Sequence, residues 1–236
     1  MIISEKTKLI KHGNINLMKN IPRIFVGDGV RPGVIMPIER DIAHYLSRVM
    51  RTNRCLVFGG GAEFNATLNA DGKTITVGDK TAHIDPTNDI VLYFAPIKRT
   101  DDLINMATQM GVRRFQPVVT EHTTCLHINW MRMKKIAIEA SEQSNRNSVP
   151  EISDPVNFSV LNLQGMCFAD ERLAYDASHA VKKIGCANTI FIGPEGGFSD
   201  SEFAAFDAAG ATPVSLGNTI LRAEVAAVIA IEKIRQ

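Results

Sequence analysis

The segment Ile190–Glu202 constrains the fold more than any other part of the chain, because it changes character three times within a few residues. It begins with an apolar run that predicts a buried strand and continues with a loop rich in glycine. Ser199 and Glu202 then have the spacing of a capping box, and Gly210 stands where the helix would end. This order places backbone N–H groups at the carboxyl end of a strand, where open α/β sheets bind ligands. The alternative is a tight turn that binds nothing.

A second segment, Val214–Ile231, has the same order of elements. A short strand leads into a loop with Gly217, and the helix that follows carries Arg222 and Glu224 in its first turns before becoming almost wholly apolar. A polar pair at the start of a buried helix predicts a pocket at the amino end of that helix. Alternatively, the two charges face solvent, or they cap and orient their own helix.

Together the two loops resemble the SPOUT class of RNA methyltransferases, which use S-adenosylmethionine, and within that class the RsmE family of 16S rRNA uracil-N3 methyltransferases. The family's Gly-Pro-Glu-Gly-Gly loop matches Gly193–Gly197, and its Leu-Gly-x-Arg-Ile-Leu-Arg-x-Glu-Thr loop matches Leu216–Val225 in part. Thr219 stands where the family usually has arginine, and Val225 where it usually has threonine. The resemblance runs from about residue 21 to the carboxyl terminus.

The resemblance implies that S-adenosylmethionine is the cofactor and that both loops bind it. The candidate cofactor-binding residues are Gly193, Pro194, Glu195, Gly196, Gly197, Leu216, Gly217, Asn218, Ile220 and Leu221. Glu224 is the first candidate for the polar work of catalysis, and Arg222 for binding uracil or phosphate. SPOUT relatives bury their carboxyl-terminal helices against a second copy, and the apolar run Val225–Ile231 predicts a homodimer here. The alternative is that this helix is buried within its own subunit.

The front of the chain, residues 18–80, has the pattern of short strands separated by turn residues, which favours a small β-barrel. The predicted strands are Arg23–Val26, Arg54–Phe58, Glu63–Leu68 and Lys73–Val77. A helix is predicted over Arg40–Arg51, with Ile42, Leu46 and Val49 on its apolar face. The resemblance implies that this part is a PUA-like RNA-binding domain. Residues 1–17 are expected to be an N-terminal extension, either disordered or lying along the first domain.

Charge is divided unevenly along the chain. Residues 1–80 carry 12 Lys and Arg against 7 Asp and Glu, whereas residues 81–236 carry 14 against 18. A basic front favours RNA binding there, since phosphate contacts come from Lys and Arg. Ordinary solvated surface is the alternative. The family's His-x-x-x-Arg-x-x-Arg pattern matches His44, Arg48 and Arg51, which are the first RNA-binding candidates. Arg23, Lys98 and Arg146 are three further candidates.

The back of the chain, residues 81–236, alternates strands with helices, which predicts an α/β fold with a parallel sheet. The predicted elements include strands at Ile90–Ala95, Val112–Val119 and Arg172–Tyr175, and helices at Thr100–Met110 and Asn129–Ser144. The Gly-x-Gly-x-x-Gly signature of dinucleotide-binding folds is absent from the sequence. The resemblance implies a different cofactor-binding fold, the SPOUT trefoil knot.

Composition excludes other classes of protein. No apolar run in the sequence approaches the ~20 residues of a membrane helix. The cysteines are scattered and form no Cys-x-x-Cys pair, which favours free thiols and a cytoplasmic protein without a membrane partner. His122, Cys125 and His127 resemble a metal site, but the sequence offers no fourth ligand at suitable spacing, so we predict a loop and no metal.

The implied chemistry makes specific demands. Methyl transfer from a sulfonium needs mainly positioning and exclusion of water. Uracil N3 carries a proton at neutral pH, so a base or a cation that stabilises the uracil anion is expected. N3 also lies on the Watson–Crick edge, so the base must be exposed or flipped out. Two alternatives stay open: an RNA-binding or ribosome-assembly factor without catalysis, and a SPOUT methyltransferase that acts on another RNA.

Overall fold

The computed structural model describes residues 21–86, 89–175 and 188–235. The chain divides into two compact units between Ile84 and Asp85. The extension predicted for residues 1–17 lies outside the described residues.

The front unit is built on a five-stranded sheet with the order β1-β3-β4-β5-β2. The β1–β3 pair is parallel and the other pairs are antiparallel. The register of β4 against β5 shifts between Phe64 and Ala66, which bends the sheet as a bulge does. This curled sheet agrees with a small barrel-like domain. The strands are β1 (Arg23–Phe25), β2 (Ile35–Pro37), β3 (Arg54–Gly59), β4 (Ala62–Leu68) and β5 (Thr74–Lys80).

The helix predicted over Arg40–Arg51 forms with a change of period. It begins as α1 (Arg40–His44) and continues as a π-helical turn over Tyr45–Val49. The N–H of Met50 donates to the carbonyl of Tyr45, five residues earlier, at 2.9 Å. Because the wider turn rotates the later residues, Val49 is 60% exposed, and the prediction that it shares a buried face with Leu46 is wrong.

The back unit contains a parallel sheet with the order β12-β10-β11-β6-β7-β8, and β9 pairs with β7. The predicted fold class, α/β with a parallel sheet that a small β-rich unit precedes in the chain, is confirmed; the trefoil knot stays a prediction. The strands are β6 (Val91–Phe94), β7 (Arg114–Val119), β8 (Glu151–Ile152), β9 (Val156–Asn157), β10 (Cys167–Ala169), β11 (Thr189–Ile192) and β12 (Thr212–Val214), and the helices are α2 (Thr100–Gln109), α3 (Trp130–Gln143), α4 (Asp200–Ala208) and α5 (Ala223–Arg235).

The strand predicted at Arg172–Tyr175 is wrong. The strand in this region is β10, and Glu171–Ala174 forms a 3-10 turn. Asp170 causes the turn, because its carboxylate accepts the backbone N–H of Arg172 at 3.0 Å and so bends the chain away from the extended conformation.

Local signals predict α4 correctly. Ser199 and Glu202 form the predicted capping box: the hydroxyl accepts the N–H of Glu202 at 3.3 Å, and the carboxylate accepts the N–H of Ser199 at 2.9 Å. Gly210 follows the helix with a left-handed φ of 66°, which suits a helix end. Phe206 of this helix stacks on Phe168 of β10 at 4.1 Å between ring centroids, which fixes α4 against the sheet.

In the part of the chain that the structure describes, every helix is either too short or too polar to cross a membrane.

Candidate functional site

A cavity of about 610 Å³ lies where four strands of the parallel sheet end. The order β12-β10-β11-β6 sets these strands side by side, so the loops that follow their carboxyl ends meet at one edge of the sheet. Lys98 and Arg99 line the cavity from the segment after β6, and Glu171 lines it from the turn after β10. The two glycine loops line it from β11, through Gly193–Gly197, and from β12, through Leu216, Gly217 and residues 219–222.

The first glycine loop is closely packed on its outer side. A Cβ added to Gly193 would lie 3.1 Å from the Phe198 ring, and one added to Gly196 would lie 3.2 Å from the Cβ of His122. The N–H of Gly197 donates to the carbonyl of Pro194 at 3.0 Å, which closes the turn. All five residues of this loop that the sequence predicts to bind the cofactor line the cavity.

The second glycine loop is more open. Gly217 has a φ of 122°, and a Cβ added there would meet no atom within 4 Å. Leu216, Gly217, Ile220 and Leu221, which the sequence predicts to bind the cofactor, line the cavity. Asn218 is exposed and lies outside the cavity lining that the described residues form.

Glu224 begins α5 with a buried carboxylate that the second loop brings to the cavity wall. Its Oε1 lies 3.0 Å from Nη1 of Arg99, and Nε of the same guanidinium donates to Oδ2 of Asp102 at 2.6 Å. The hydrogen bond from Arg99 to Asp102 raises the pKa of Arg99. Arg222 is exposed and also lines the cavity, so the predicted pair Arg222 and Glu224 stands at the cavity with a second arginine beside it.

Two groups of the wall, Arg99 and Glu171, are not among the sequence candidates. Each follows the carboxyl end of a parallel strand, and position after a buried strand is the signal that could have found them. Glu171 is half-buried, and desolvation raises the pKa of its carboxyl group. Its neighbour Asp170 is instead paired with Arg172 at 2.7 Å.

Comparisons with known proteins identify the family to which this fold and site belong. A family model described as an RNA methyltransferase domain matches residues 85–235. The chain is 29% identical to the protein named ribosomal RNA small subunit methyltransferase E of Rickettsia conorii, over 98% of this chain and 90% of that one. It is 30% identical to the protein of the same name from Synechocystis, over 81% of this chain and 69% of that one. The chain belongs to the ribosomal RNA small subunit methyltransferase E family.

A solved structure agrees with this family in fold. The protein of that name from Neisseria gonorrhoeae, in a crystal structure bound to S-adenosyl methionine, superposes with a TM-score of 0.77. The match covers 91% of this chain and 97% of that one at 23% identity.

The candidate RNA-binding residues of this methyltransferase E family member have different surroundings. His44, Arg48 and Arg51 are exposed in the front unit, and Lys98 is exposed at the cavity. Arg23 is buried in an ion pair with Glu63, which favours a structural role in the sheet.

Arg146 also has a structural setting. Its Nη1 donates to the carbonyls of Thr108 and Val112, at 2.7 and 2.9 Å. Burial lowers the pKa of its guanidinium. These bonds tie the loop after α3 to the end of α2, which favours a structural role for Arg146 as well.

His122, Cys125 and His127 lie in the loop after β7, and in the described part of the chain no cluster of His, Cys, Asp or Glu could hold a metal ion. Nδ1 of His122 instead lies 3.1 Å from the carbonyl oxygen of Gly197, so this histidine supports the first glycine loop.

Proposed function

We propose that this protein transfers a methyl group from S-adenosylmethionine to N3 of a uridine in 16S rRNA of the small ribosomal subunit. The observation that carries the proposal is the meeting of both glycine loops and the Arg99–Glu224 pair around one cavity, in a member of a small-subunit rRNA methyltransferase family. The proposal includes a cytoplasmic location, which an rRNA substrate supports.

The cavity residues fit the cofactor. Sites for small molecules measure roughly 300–1,000 Å³ and combine apolar walls with a few polar groups. The cavity here has a suitable size, and its walls combine apolar side chains such as Leu216 and Leu221 with loop backbone. The open side of Gly217 lets a ligand approach the backbone closely. Gly193–Gly197 and Leu216–Leu221 would hold the cofactor, which when bound supplies an activated methyl group.

The charged side of the cavity suits the uracil. Removal of the N3 proton leaves negative charge on the base, and the guanidinium groups of Arg99 and Arg222 would stabilise it. Glu224 is the candidate acceptor of that proton, because its carboxylate reaches the cavity wall. Its burial and its contact with Arg99 hold it in one place, so it is oriented before substrate binds.

The front unit would dock the RNA. We assign residues 18–80 to a PUA-like RNA-binding domain, residues 81–236 to the SPOUT methyltransferase domain, and residues 1–17 to an extension. His44, Arg48 and Arg51 are exposed there, while Leu46 of the same segment is buried in the core. Cations on the exposed side of such a segment can reach phosphate oxygens.

The proposal also includes a homodimer. Val225 and Ile229 are exposed apolar residues one turn apart on α5, although the opposite face of this helix is buried in its own unit. A second copy that packed its α5 on these residues would cover them. Light scattering at micromolar concentration should return twice the mass of the 25.9 kDa chain. A mass of one chain across that concentration range would reject the dimer.

Nucleoside mass spectrometry tests the activity. Unmodified small-subunit rRNA, both free and in assembled subunits, is incubated with the protein and a donor that carries an isotopically labelled methyl group. We expect one labelled methyl group on N3 of a single uridine.

Thr219 lines the cavity where the family usually has arginine, and this difference favours a second candidate, an RNA-binding or assembly factor without catalysis. RNA binding with no label transferred would support that candidate. Label on another RNA alone would support a methyltransferase of different specificity.

A further inference from the structure

Glu171 lies between the two glycine loops. It follows β10, and the strand order β12-β10-β11 sets β10 between the strands that lead into those loops. Its side chain lines the same cavity as both loops. A ligand that bridges the two loops therefore passes over the end of β10.

The carboxylate of Glu171 is held against the first glycine loop. A Cβ added to Gly197 would lie 2.3 Å from Oε1 of Glu171, and Gly197 also has a left-handed φ of 72°. The left-handed φ favours glycine at position 197, and an added Cβ would also force the Glu171 carboxylate to move. The backbone N–H of Phe198 donates to this carboxylate and so holds its side chain beside the loop.

The Glu171 carboxylate accepts hydrogen bonds from the backbone N–H groups of Glu171 and Phe198, but from no cation of the described chain. Among residues 21–86, 89–175 and 188–235, Glu171 forms no salt bridge with a cation. Arg172, the nearest arginine in sequence, is paired with Asp170 at 2.7 Å and lies over the Phe203 ring at 3.9 Å. Burial raises the pKa of the Glu171 carboxyl group, so hydrogen-bond donors from a ligand would relieve its desolvation.

We infer that Glu171 binds the ribose of S-adenosylmethionine, with its carboxylate accepting hydrogen bonds from the vicinal hydroxyl groups. This inference rests on the proposed cofactor. A carboxylate has two acceptor oxygens, which match a pair of neighbouring O–H donors. The amino-acid end of the cofactor has charged groups, for which the cavity offers Lys98 from the segment after β6.

Calorimetry with a truncated ligand separates the ribose from the amino acid. S-adenosylmethionine and 5′-methylthioadenosine, which keeps the ribose and lacks the amino-acid part, are titrated into wild type, Glu171→Gln and Glu171→Ala. The control is Glu139→Gln, the same change at a glutamate of α3 that does not line the cavity. Circular dichroism and thermal unfolding check that each variant is folded.

We expect the affinity for both ligands to fall at least tenfold on Glu171→Gln and further on Glu171→Ala, with Glu139→Gln unchanged. A weaker affinity for S-adenosylmethionine alone would assign the carboxylate to the amino group and overturn the inference. Unchanged affinity for both ligands would also overturn it. Failure of wild type to bind S-adenosylmethionine would overturn the proposed function and, with it, this inference.

Gly197→Ala provides an independent variant. The added methyl group should displace the Glu171 carboxylate, so affinity should fall tenfold or more. Combining it with Glu171→Gln should add less than the sum of the single effects, because both changes act on the same carboxylate. Gly210→Ala is the matched control, since Gly210 has a similar left-handed φ of 66° and no atom within 4 Å of an added Cβ. If the effects of Gly197→Ala and Glu171→Gln on affinity were fully additive, the close approach of Gly197 and Glu171 would not be the cause of the loss. An equal fall in affinity in the Gly210→Ala control would lead to the same conclusion.

Discussion

Among the residues that the structure describes, two arginine–glutamate pairs have the same chemistry in different surroundings. In the front sheet, Arg23 and Glu63 lie 2.7 Å apart, and their side chains are 6% and 3% exposed. At the cavity, Arg99 and Glu224 lie 3.0 Å apart, but Arg99 is 51% exposed while Glu224 is 5% exposed. The first pair is closed to solvent and the second is open on one side.

The closed pair is held by further interactions. The Arg23 guanidinium lies 4.5 Å from the centre of the Phe58 ring, and Glu63 accepts the Thr81 hydroxyl at 2.8 Å. The open pair instead presents part of its guanidinium to the cavity. The closed pair therefore has the setting of a structural pair, whereas the open pair keeps one face toward the cavity, where the proposed substrate would bind.

The largest effect is expected when a substitution breaks the closed pair. Arg23→Met leaves the buried Glu63 carboxylate unpaired and should lower the free energy of unfolding by about 3–5 kcal/mol, measured by urea denaturation. The double variant Arg23→Met with Glu63→Leu should recover much of that decrease. A single variant as stable as wild type, with RNA binding reduced, would reverse the assignment and make Arg23 an RNA-binding residue.

The next effect concerns the open pair. Glu224→Gln and Arg99→Ala should each lower kcat for methyl transfer by about 10²-fold, because each removes a charge that acts on the reacting base. Arg99→Lys should retain part of the activity. Steady-state kinetics on small-subunit rRNA measures kcat.

Arg132→Ala is the control for the open pair. Arg132 is another exposed arginine, paired with Asp101 at 3.1 Å outside the cavity lining. Its replacement should leave kcat unchanged. If Arg132→Ala and Arg99→Ala reduced kcat equally, the open pair would have no special role.

A smaller effect is expected for cations that belong to neither pair. Arg48→Ala with Arg51→Ala should weaken RNA binding and reduce the slope of log affinity against log salt by roughly 0.7–0.9 for each phosphate that the variant no longer neutralises. Affinity for S-adenosylmethionine should not change. Arg113→Ala, at an exposed arginine of the back unit paired with Asp89, is the control. An unchanged slope in the double variant would leave this face as solvated surface.

The smallest effect concerns Glu171, a carboxylate at the cavity without a salt bridge among the described residues. Burial raises the pKa of its folded-state carboxyl group above the unfolded value, although hydrogen bonds from the backbone N–H groups of Glu171 and Phe198 oppose the increase. The ionised group therefore costs stability above its folded pKa, and that cost disappears as pH falls toward the unfolded value.

Glu171→Gln should accordingly raise Tm by roughly 1–3 °C at pH 8 and by less at pH 5, measured by thermal unfolding of the free protein. A variant that is less stable than wild type at pH 8 would contradict the desolvation of this carboxylate. If Glu171→Gln raises Tm and also weakens ligand affinity, then Glu171 lowers stability and is retained for function.

What the sequence can predict depends on how far apart in the chain the contacting residues lie. The capping box of Ser199 and Glu202 depends on residues close in sequence, so its pattern predicts the helix start, and the prediction is confirmed. The pairing of Arg99 with Glu224 joins residues far apart in sequence, and only the parallel order of β6 and β11 with α5 brings them together. For the same reason the sequence suggests an RNA-binding cation at Arg23, since its partner Glu63 lies on another strand.

Two of the wrong structural predictions have local causes. A regular helical period places Val49 on a buried face, whereas the π-helical turn rotates it toward solvent. The strand predicted at Arg172–Tyr175 is displaced by the side chain of Asp170, which bends the backbone through one hydrogen bond. Because the sequence predicts a strand at those residues, it does not show that β10 ends before Glu171. Glu171 is therefore missed as a part of the site.

The most direct test of the open pair changes the acidity of the substrate. The kcat of wild type and of Glu224→Gln is measured on RNA that contains uridine or 5-fluorouridine at the target position, since fluorine makes the N3 proton more acidic. If Glu224 accepts that proton with Arg99 beside it, the defect of the variant should shrink at least tenfold on the fluorinated RNA. An equal defect on both RNAs would contradict a role of this pair in removing the N3 proton.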